Sequence, residues 1–207
     1  MANSGSPRHF AQRNGQAPTG PGFVLWLTGL SGAGKSTIAG LVAAELEARG
    51  VLLDLLDGDV VREHLSKDLS FSKEDRDTNI ARIGWVASRL ARAGAGVVVS
   101  AISPYEAARQ RARSLAEEHA VFVEVHVATS LEECARRDPK GLYRKAFAGE
   151  IPEFTGVSDP YEAPSNPELR IETEGRTPEQ AAGIVVARLE ELGVLTPRAA
   201  EKTAAAS

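Results

Sequence analysis

Gly29-Leu30-Ser31-Gly32-Ala33-Gly34-Lys35-Ser36, followed by Thr37, fits G-x-x-x-x-G-K-[ST] in full. It directly follows the β-rich run Phe23–Thr28 and directly precedes a helical pattern, the context in which this spacing cradles phosphates. Glycines let successive backbone N–H groups turn inward around an anion, and a following helix adds the positive end of its dipole. In that arrangement Lys35 reaches the β- and γ-phosphates of a nucleoside triphosphate such as ATP, and the Ser36 hydroxyl holds Mg²⁺. The chemistry indicated is phosphoryl transfer or nucleotide hydrolysis.

Other residues narrow the choice. There is no Asn-Lys-x-Asp segment for guanine recognition, and the run Val97–Ile102 ends without the acidic residue that closes the metal-binding strand of motor ATPases. The acidic pair instead follows the second run, as Asp57-Gly58-Asp59, which favours a small kinase. One carboxylate would orient an acceptor hydroxyl or take its proton, and the other would hold Mg²⁺ through water. Asp59 is equally placed to cap the helix predicted over Val60–Leu65, so its two roles stay open. Arg62, and Arg76 with Asn79 three residues on, suit charge-assisted recognition of an anionic acceptor. Arg136 to Glu150 (RRDPKGLYRKAFAGE) reads as a basic lid, with Pro and Gly flanking a short helix.

The elements that must carry these residues alternate between strand and helix. Strands are predicted at Phe23–Thr28, Val51–Asp57, Val97–Ile102, Val121–Ala128 and Leu169–Glu172. Helices are predicted at Lys35–Arg49, Val60–Leu65, Lys73–Ala93, Pro104–His119, Leu131–Arg136, Leu142–Ala148 and Pro178–Leu192. Apolar runs with little alternation imply central parallel strands buried on both faces. The fold class is α/β: a P-loop nucleoside-triphosphate hydrolase-like three-layer fold, with a parallel five-stranded sheet, helices on both faces and a small lid. Three helix starts have cap signatures: Ser72 before Asp75, Thr177-Pro178-Glu179-Gln180, and Ser103-Pro104-Tyr105-Glu106.

The 207 residues, 43% hydrophobic and 25% charged, suit one globular domain, expected over 21–195 between a disordered leader (1–20) and a disordered tail (196–207). A net charge of −4 argues against a nucleic-acid partner. No apolar stretch reaches the roughly 20 residues of a membrane span, and Cys134 stands alone, so a cytoplasmic setting is expected. Cys134, His64 and His126 read as structural.

On these residues the chain resembles the adenylylsulfate (APS) kinases from about Gly22 to Leu195. The matching segments include Gly29–Thr37, Leu56-Asp57-Gly58-Asp59, Lys67-Asp68-Leu69 with Phe71-Ser72, Glu74-Asp75-Arg76, Asn79 to Gly84, and Ile102-Ser103-Pro104-Tyr105. They continue through Arg137-Asp138-Pro139-Lys140-Gly141-Leu142-Tyr143, Ala148-Gly149-Glu150-Ile151, Phe154-Thr155-Gly156 and Asp159-Pro160-Tyr161-Glu162. The resemblance implies transfer of the ATP γ-phosphoryl group, with Mg²⁺, to the 3′-hydroxyl of adenosine 5′-phosphosulfate (APS), giving PAPS and ADP. It implies that Asp57, Asp59, Arg62, Arg76 and Asn79 meet APS on its phosphosulfate and ribose side, and that Phe71 and Phe154 stack on either face of its adenine. It further implies a backbone contact from Ile102, an active-site phosphoserine at Ser103, and Lys140 and Leu142 near APS. Direct in-line transfer is nevertheless the physically favoured route, because catalysis here needs mainly positioning and charge neutralisation. Both phenylalanines lie in polar, turn-rich surroundings, which makes them poor core candidates.

Val60, Ala101, Glu106 and Phe147 depart from the family's common residues. The run Val60 to Ser66 looks like the kinase domains fused to ATP sulfurylase, so a functional link to that enzyme, and the family's common homodimer, are expectations by analogy. The alternatives are a kinase of the same fold acting on another nucleotide-linked or small alcohol, and a nucleotide-sensing domain without turnover.

Overall fold

The computed structural model describes residues 21–198, so the expected leader and all but the first three residues of the expected tail lie outside the described residues. Five strands form one sheet: β1 (Phe23–Thr28), β2 (Leu53–Asp57), β3 (Gly96–Ser100), β4 (Val121–Val127) and β5 (Leu169–Ile171). Their order is β2-β3-β1-β4-β5 and every pairing is parallel, with Leu25 of β1 beside Val98 on one side and Val123 on the other. β1 and β3 are buried at every position, as strands covered on both faces must be, whereas the edge strand β2 is partly exposed. The expected three-layer α/β architecture is what the chain forms.

Alternation along β1 feeds two cores. Phe23, Leu25 and Leu27 join Ile38, Val42 and Leu46 of α1 (Lys35–Ala48) and Val185 and Leu189 of α7 (Pro178–Glu191). Val24 and Trp26 join Ile80, Ile83 and Ala87 of α3 (Lys73–Arg92) and Ala108 and Ala112 of α4 (Glu106–Glu117). α3 and α4 approach closely at Gly84, where a Cβ would stand 2.8 Å from that of Ala112. Three shorter helices complete the chain: α2 (Gly58–Leu65), α5 (Leu131–Arg137) and α6 (Leu142–Phe147).

Helix starts show which local signals suffice. Ser72 accepts from the Asp75 N–H at 3.2 Å, and Thr177 and Gln180 close a reciprocal capping box, both as predicted. The predicted cap at Ser103 is not formed. Ser103 takes φ 47°, the chain runs on outside the helix for two further residues with Tyr105 extended, and α4 begins at Glu106 with no side-chain cap from Tyr105. The Glu106 N–H is met instead by the carboxylate of Glu162 at 2.7 Å, a partner 56 residues away. Asp59 is likewise not a cap: α2 starts at Gly58, and Asp57 accepts from the Asp59 N–H at 3.0 Å. Among the described residues, no helix is long and apolar enough to cross a membrane.

Candidate active site

The carboxyl ends of β1, β2 and β3 converge on one cleft, where ligands bind in open α/β sheets. β1 runs into the glycine loop, and Gly34, at φ 103°, is the N-cap of α1 with no side chain capping the helix. The first N–H groups of α1 therefore lack a side-chain acceptor, and the left-handed bend that aims them at the cleft is open to glycine at little cost. Lys35 is 8% exposed and donates to the Leu30 carbonyl at 2.8 Å. Burial pulls its pKa down to about 8, against the opposing pull of Cys134, Asp57 and Asp59. A lysine held this way gains a strong partner when a phosphate enters.

Ser36 Oγ donates to Asp57 Oδ2 at 2.7 Å and lies 3.1 Å from Ser100 Oγ. One carboxylate and two hydroxyls suit Mg²⁺, which takes hard oxygen ligands and few of them from protein. No group of three or more His, Cys, Asp or Glu that could hold a metal occurs among the described residues. Ser100 was missed by sequence reasoning because a strand-end serine has no distinguishing neighbours.

The acceptor side is assembled from distant segments. Asp59 is exposed at the start of α2 and forms an ion pair with Lys140, from the turn between α5 and α6. Phe71 is 63% exposed, and the Arg62 guanidinium sits 4.3 Å from its ring centroid while donating to the Ser70 carbonyl at 2.9 Å. Burial, reinforced by nearby Arg76, lowers the Arg62 pKa. Phe154, expected to be a poor core candidate, packs partly against the core. It is half-buried at the rim of the α1 core, edge-on to Tyr143 at 5.0 Å between centroids. Tyr143 is buried and donates from its hydroxyl to the Ser31 carbonyl at 2.9 Å, which ties α6 to the glycine loop. Leu142 beside it is half-buried.

Arg76 is expected to face an anion, yet most of its donors meet protein. Nε donates to the Phe71 carbonyl at 2.7 Å, Nη2 to the Glu153 carbonyl, and Nη1 to Thr155 Oγ1, with Asp159 Oδ2 at 3.3 Å. Asn79, one turn on, is 6% exposed and its Oδ1 has no partner. The Ile102 carbonyl accepts from Thr28 Oγ1 at 2.6 Å, so one backbone group expected to touch substrate already serves β1. Ser103 is 1% exposed. Its Oγ accepts from Trp26 Nε1 at 2.9 Å and donates to the Ala101 carbonyl at 3.3 Å.

Behind Ser103 lies a buried charge cluster that the sequence did not announce. Arg109, with a fully buried side chain, donates to the carbonyls of Ser103 at 2.7 Å and Glu162 at 2.8 Å, and pairs with buried Glu124 of β4 at 2.8 Å. Burial raises the Glu124 pKa, and Arg109 and Arg113 oppose it. Tyr105 donates to Asp159, and burial, with Asp159 beside it, pushes the tyrosine up to about 12. The Asp159-Pro160-Tyr161-Glu162 segment was visible as a family signature, but no local pattern disclosed these partners. Cys134 is buried, as a packing residue should be, and His64 is exposed.

A glycine loop between β1 and a helix, a buried lysine and a Ser–Asp oxygen pair define a P-loop phosphotransferase. The sequence profile of the adenylylsulphate kinase family matches residues 21–172. Over 176 residues the chain is 53% identical to the adenylyl-sulfate kinase of Picosynechococcus sp., covering 85% of this chain and 98% of the other. It is 54% identical over 179 residues to a probable bifunctional SAT/APS kinase of Sorangium cellulosum; the match covers 86% of this chain but only 30% of that protein. The APS kinase of Mycobacterium tuberculosis, solved in complex with AMPPNP and APS, superimposes with a TM-score of 0.79 at 46% identity, covering 82% of this chain and 98% of the other. The chain belongs to the adenylylsulphate kinase family, and phosphorylation of adenylyl sulfate by ATP is the reaction its site serves.

Proposed function

We propose that the γ-phosphoryl group passes directly from ATP to the 3′-hydroxyl of APS, giving PAPS and ADP, with the glycine loop and the acidic strand end dividing the work. The observation that carries this reading is the 2.7 Å contact between Ser36 and Asp57, which joins the triphosphate cradle to the acceptor side. The glycine loop and helix start over residues 29–37, with the Lys35 ammonium, hold the β- and γ-phosphates. Ser36 would hold Mg²⁺, with Asp57 or Asp59 acting through water; when bound, the ion neutralises charge on the transferring group. The other carboxylate of the pair orients the acceptor hydroxyl and takes its proton. Arg62, Arg76 and Asn79 serve the phosphosulfate and ribose, with Ile102, Ser103, Lys140 and Leu142 nearby.

Phe71 and Phe154 hold the adenine of APS between them. Stacking of a base on an aromatic ring contributes about 1–3 kcal/mol. The basic segment Arg136 to Glu150 closes over the phosphates and excludes water, the competing acceptor. A cytoplasmic homodimer working beside ATP sulfurylase completes the reading; Trp85, 59% exposed on α3, supports burial against another surface.

The test is an acceptor panel. ADP release with Mg²⁺ and ATP should be fastest with APS, and a preference for another nucleotide-linked or small alcohol would replace the substrate assignment.

A further inference from the structure

We propose that Asp159 is a positioning residue that sets the separation of the two aromatic walls of the acceptor slot by fixing Arg76 between them. The proposal rests on the reading of Phe71 and Phe154 as the walls that hold the adenine.

A guanidinium has five N–H donors in a rigid plane, so it can gather acceptors from several segments at fixed angles. Arg76 does this across the slot. It takes the Phe71 carbonyl from one wall, at 2.7 Å, and the Glu153 carbonyl and Thr155 hydroxyl, which flank Phe154, from the other. Three neutral acceptors leave its positive charge without a counter-ion. Asp159 supplies one at 3.3 Å, with the two side chains only 11% and 17% exposed, so solvent screens the pair weakly.

Asp159 is also built into the turn that carries Phe154. Its carbonyl accepts from the Gly156 N–H at 2.7 Å and its N–H donates to the Phe154 carbonyl at 3.1 Å. The Tyr105 hydroxyl donates to the same carboxylate, 2.8 Å from Oδ2, and Tyr105 stands two residues beyond Ser103. Asp159 therefore registers three parts of the site: the α3 start and the loop after β3 through its carboxylate, by Arg76 and Tyr105, and the Phe154 turn through its backbone.

The experiment compares Asp159→Asn and Tyr105→Phe with Phe71→Ala and Phe154→Ala, measuring kcat, KM for APS, KM for ATP and thermal midpoint. Asp159→Asn keeps size and an acceptor for Tyr105 but removes the counter-charge. It should raise KM for APS about tenfold while leaving kcat and KM for ATP within about twofold. Tyr105→Phe should shift KM for APS in the same direction by a smaller factor, and it carries the test if the Asp159 variant does not fold. If Phe154→Ala raises KM for APS but Asp159→Asn and Tyr105→Phe do not, the positioning role is overturned and the slot stands. A parallel loss of kcat and of both KM values in Asp159→Asn would also overturn it, as general damage to the fold. If neither phenylalanine variant changes KM for APS, the slot reading itself fails.

Discussion

The indole N–H of Trp26 donates to Ser103 Oγ at 2.9 Å, joining two buried residues 77 positions apart. With the Ala101 carbonyl as its own acceptor, the Ser103 hydroxyl is satisfied on both sides and turned into the protein. A covalent phosphoserine would lose the hydroxyl proton and with it the bond to the Ala101 carbonyl, and would need space for a phosphoryl group at a residue that is 1% exposed. Ser103→Ala should therefore keep kcat within about tenfold of the parent enzyme, whereas an obligatory phosphoenzyme requires complete loss. Leaving the Trp26 N–H unpaired should still cost about 1–3 kcal/mol of stability. Coupled ADP release and urea denaturation read the two effects separately.

Lys35 yields a pH prediction. Burial lowers its pKa to about 8, so the ligand-free protein loses this positive charge as pH rises through that value. A bound triphosphate favours the charged form, so binding takes up a proton above about pH 8. Affinity for a non-hydrolysable ATP analogue should fall by up to about tenfold per pH unit there and stay flat below pH 7. Calorimetric titration at pH 7, 8 and 9 measures the slope. Lys35→Arg, which stays charged, should bind with little pH dependence whatever its absolute affinity.

The Arg109–Glu124 pair predicts an asymmetry in stability. Removing only the guanidinium leaves Glu124, 1% exposed on β4, with the longer 3.5 Å pair to Arg113 alone, and Arg109→Ala should cost up to about 3–5 kcal/mol. Arg109→Leu combined with Glu124→Leu removes both charges and should recover part of that loss. Urea unfolding of the two variants and the parent gives the comparison. Equal losses would mean that the carbonyl bonds of Arg109, rather than its charge, hold the loop at Ser103.

Gly84 tests the helix packing. A methyl group there would stand 2.8 Å from Ala112 Cβ and 3.1 Å from its Cα, so α3 and α4 must separate to admit it. Gly84→Ala should destabilise by about 1–3 kcal/mol, even though alanine gains about 1 kcal/mol of helix propensity. A raised thermal midpoint would show that the helices yield.

Much of this site is legible along the chain because its parts are local. A glycine bend followed by Lys35 and Ser36 needs only a strand before it and a helix after it. The caps at Ser72 and Thr177 depend on residues three positions on, so both could be read without a fold. Asp57 and Asp59 were found together for the same reason, but which of them capped α2 turned on where the helix began, a matter of one or two residues.

The sequence by itself determined the layered α/β frame, the phosphate cradle and the set of side chains available for the acceptor, since each is written in short-range pattern and residue type. Only the tertiary structure decided which of those side chains were free. Arg76 looked like an open cation, but acceptors 77 to 83 residues away occupy most of its donors. Ser103 looked like a cap until Glu162 took that place and Trp26 took its hydroxyl. Phe154 looked a poor core candidate, yet it packs partly against the core with Tyr143 at its edge. The physical reason is common to all three. A residue's chemistry is intrinsic, but whether its donors, acceptors or faces remain unspent depends on partners that only the folded chain brings within bonding distance.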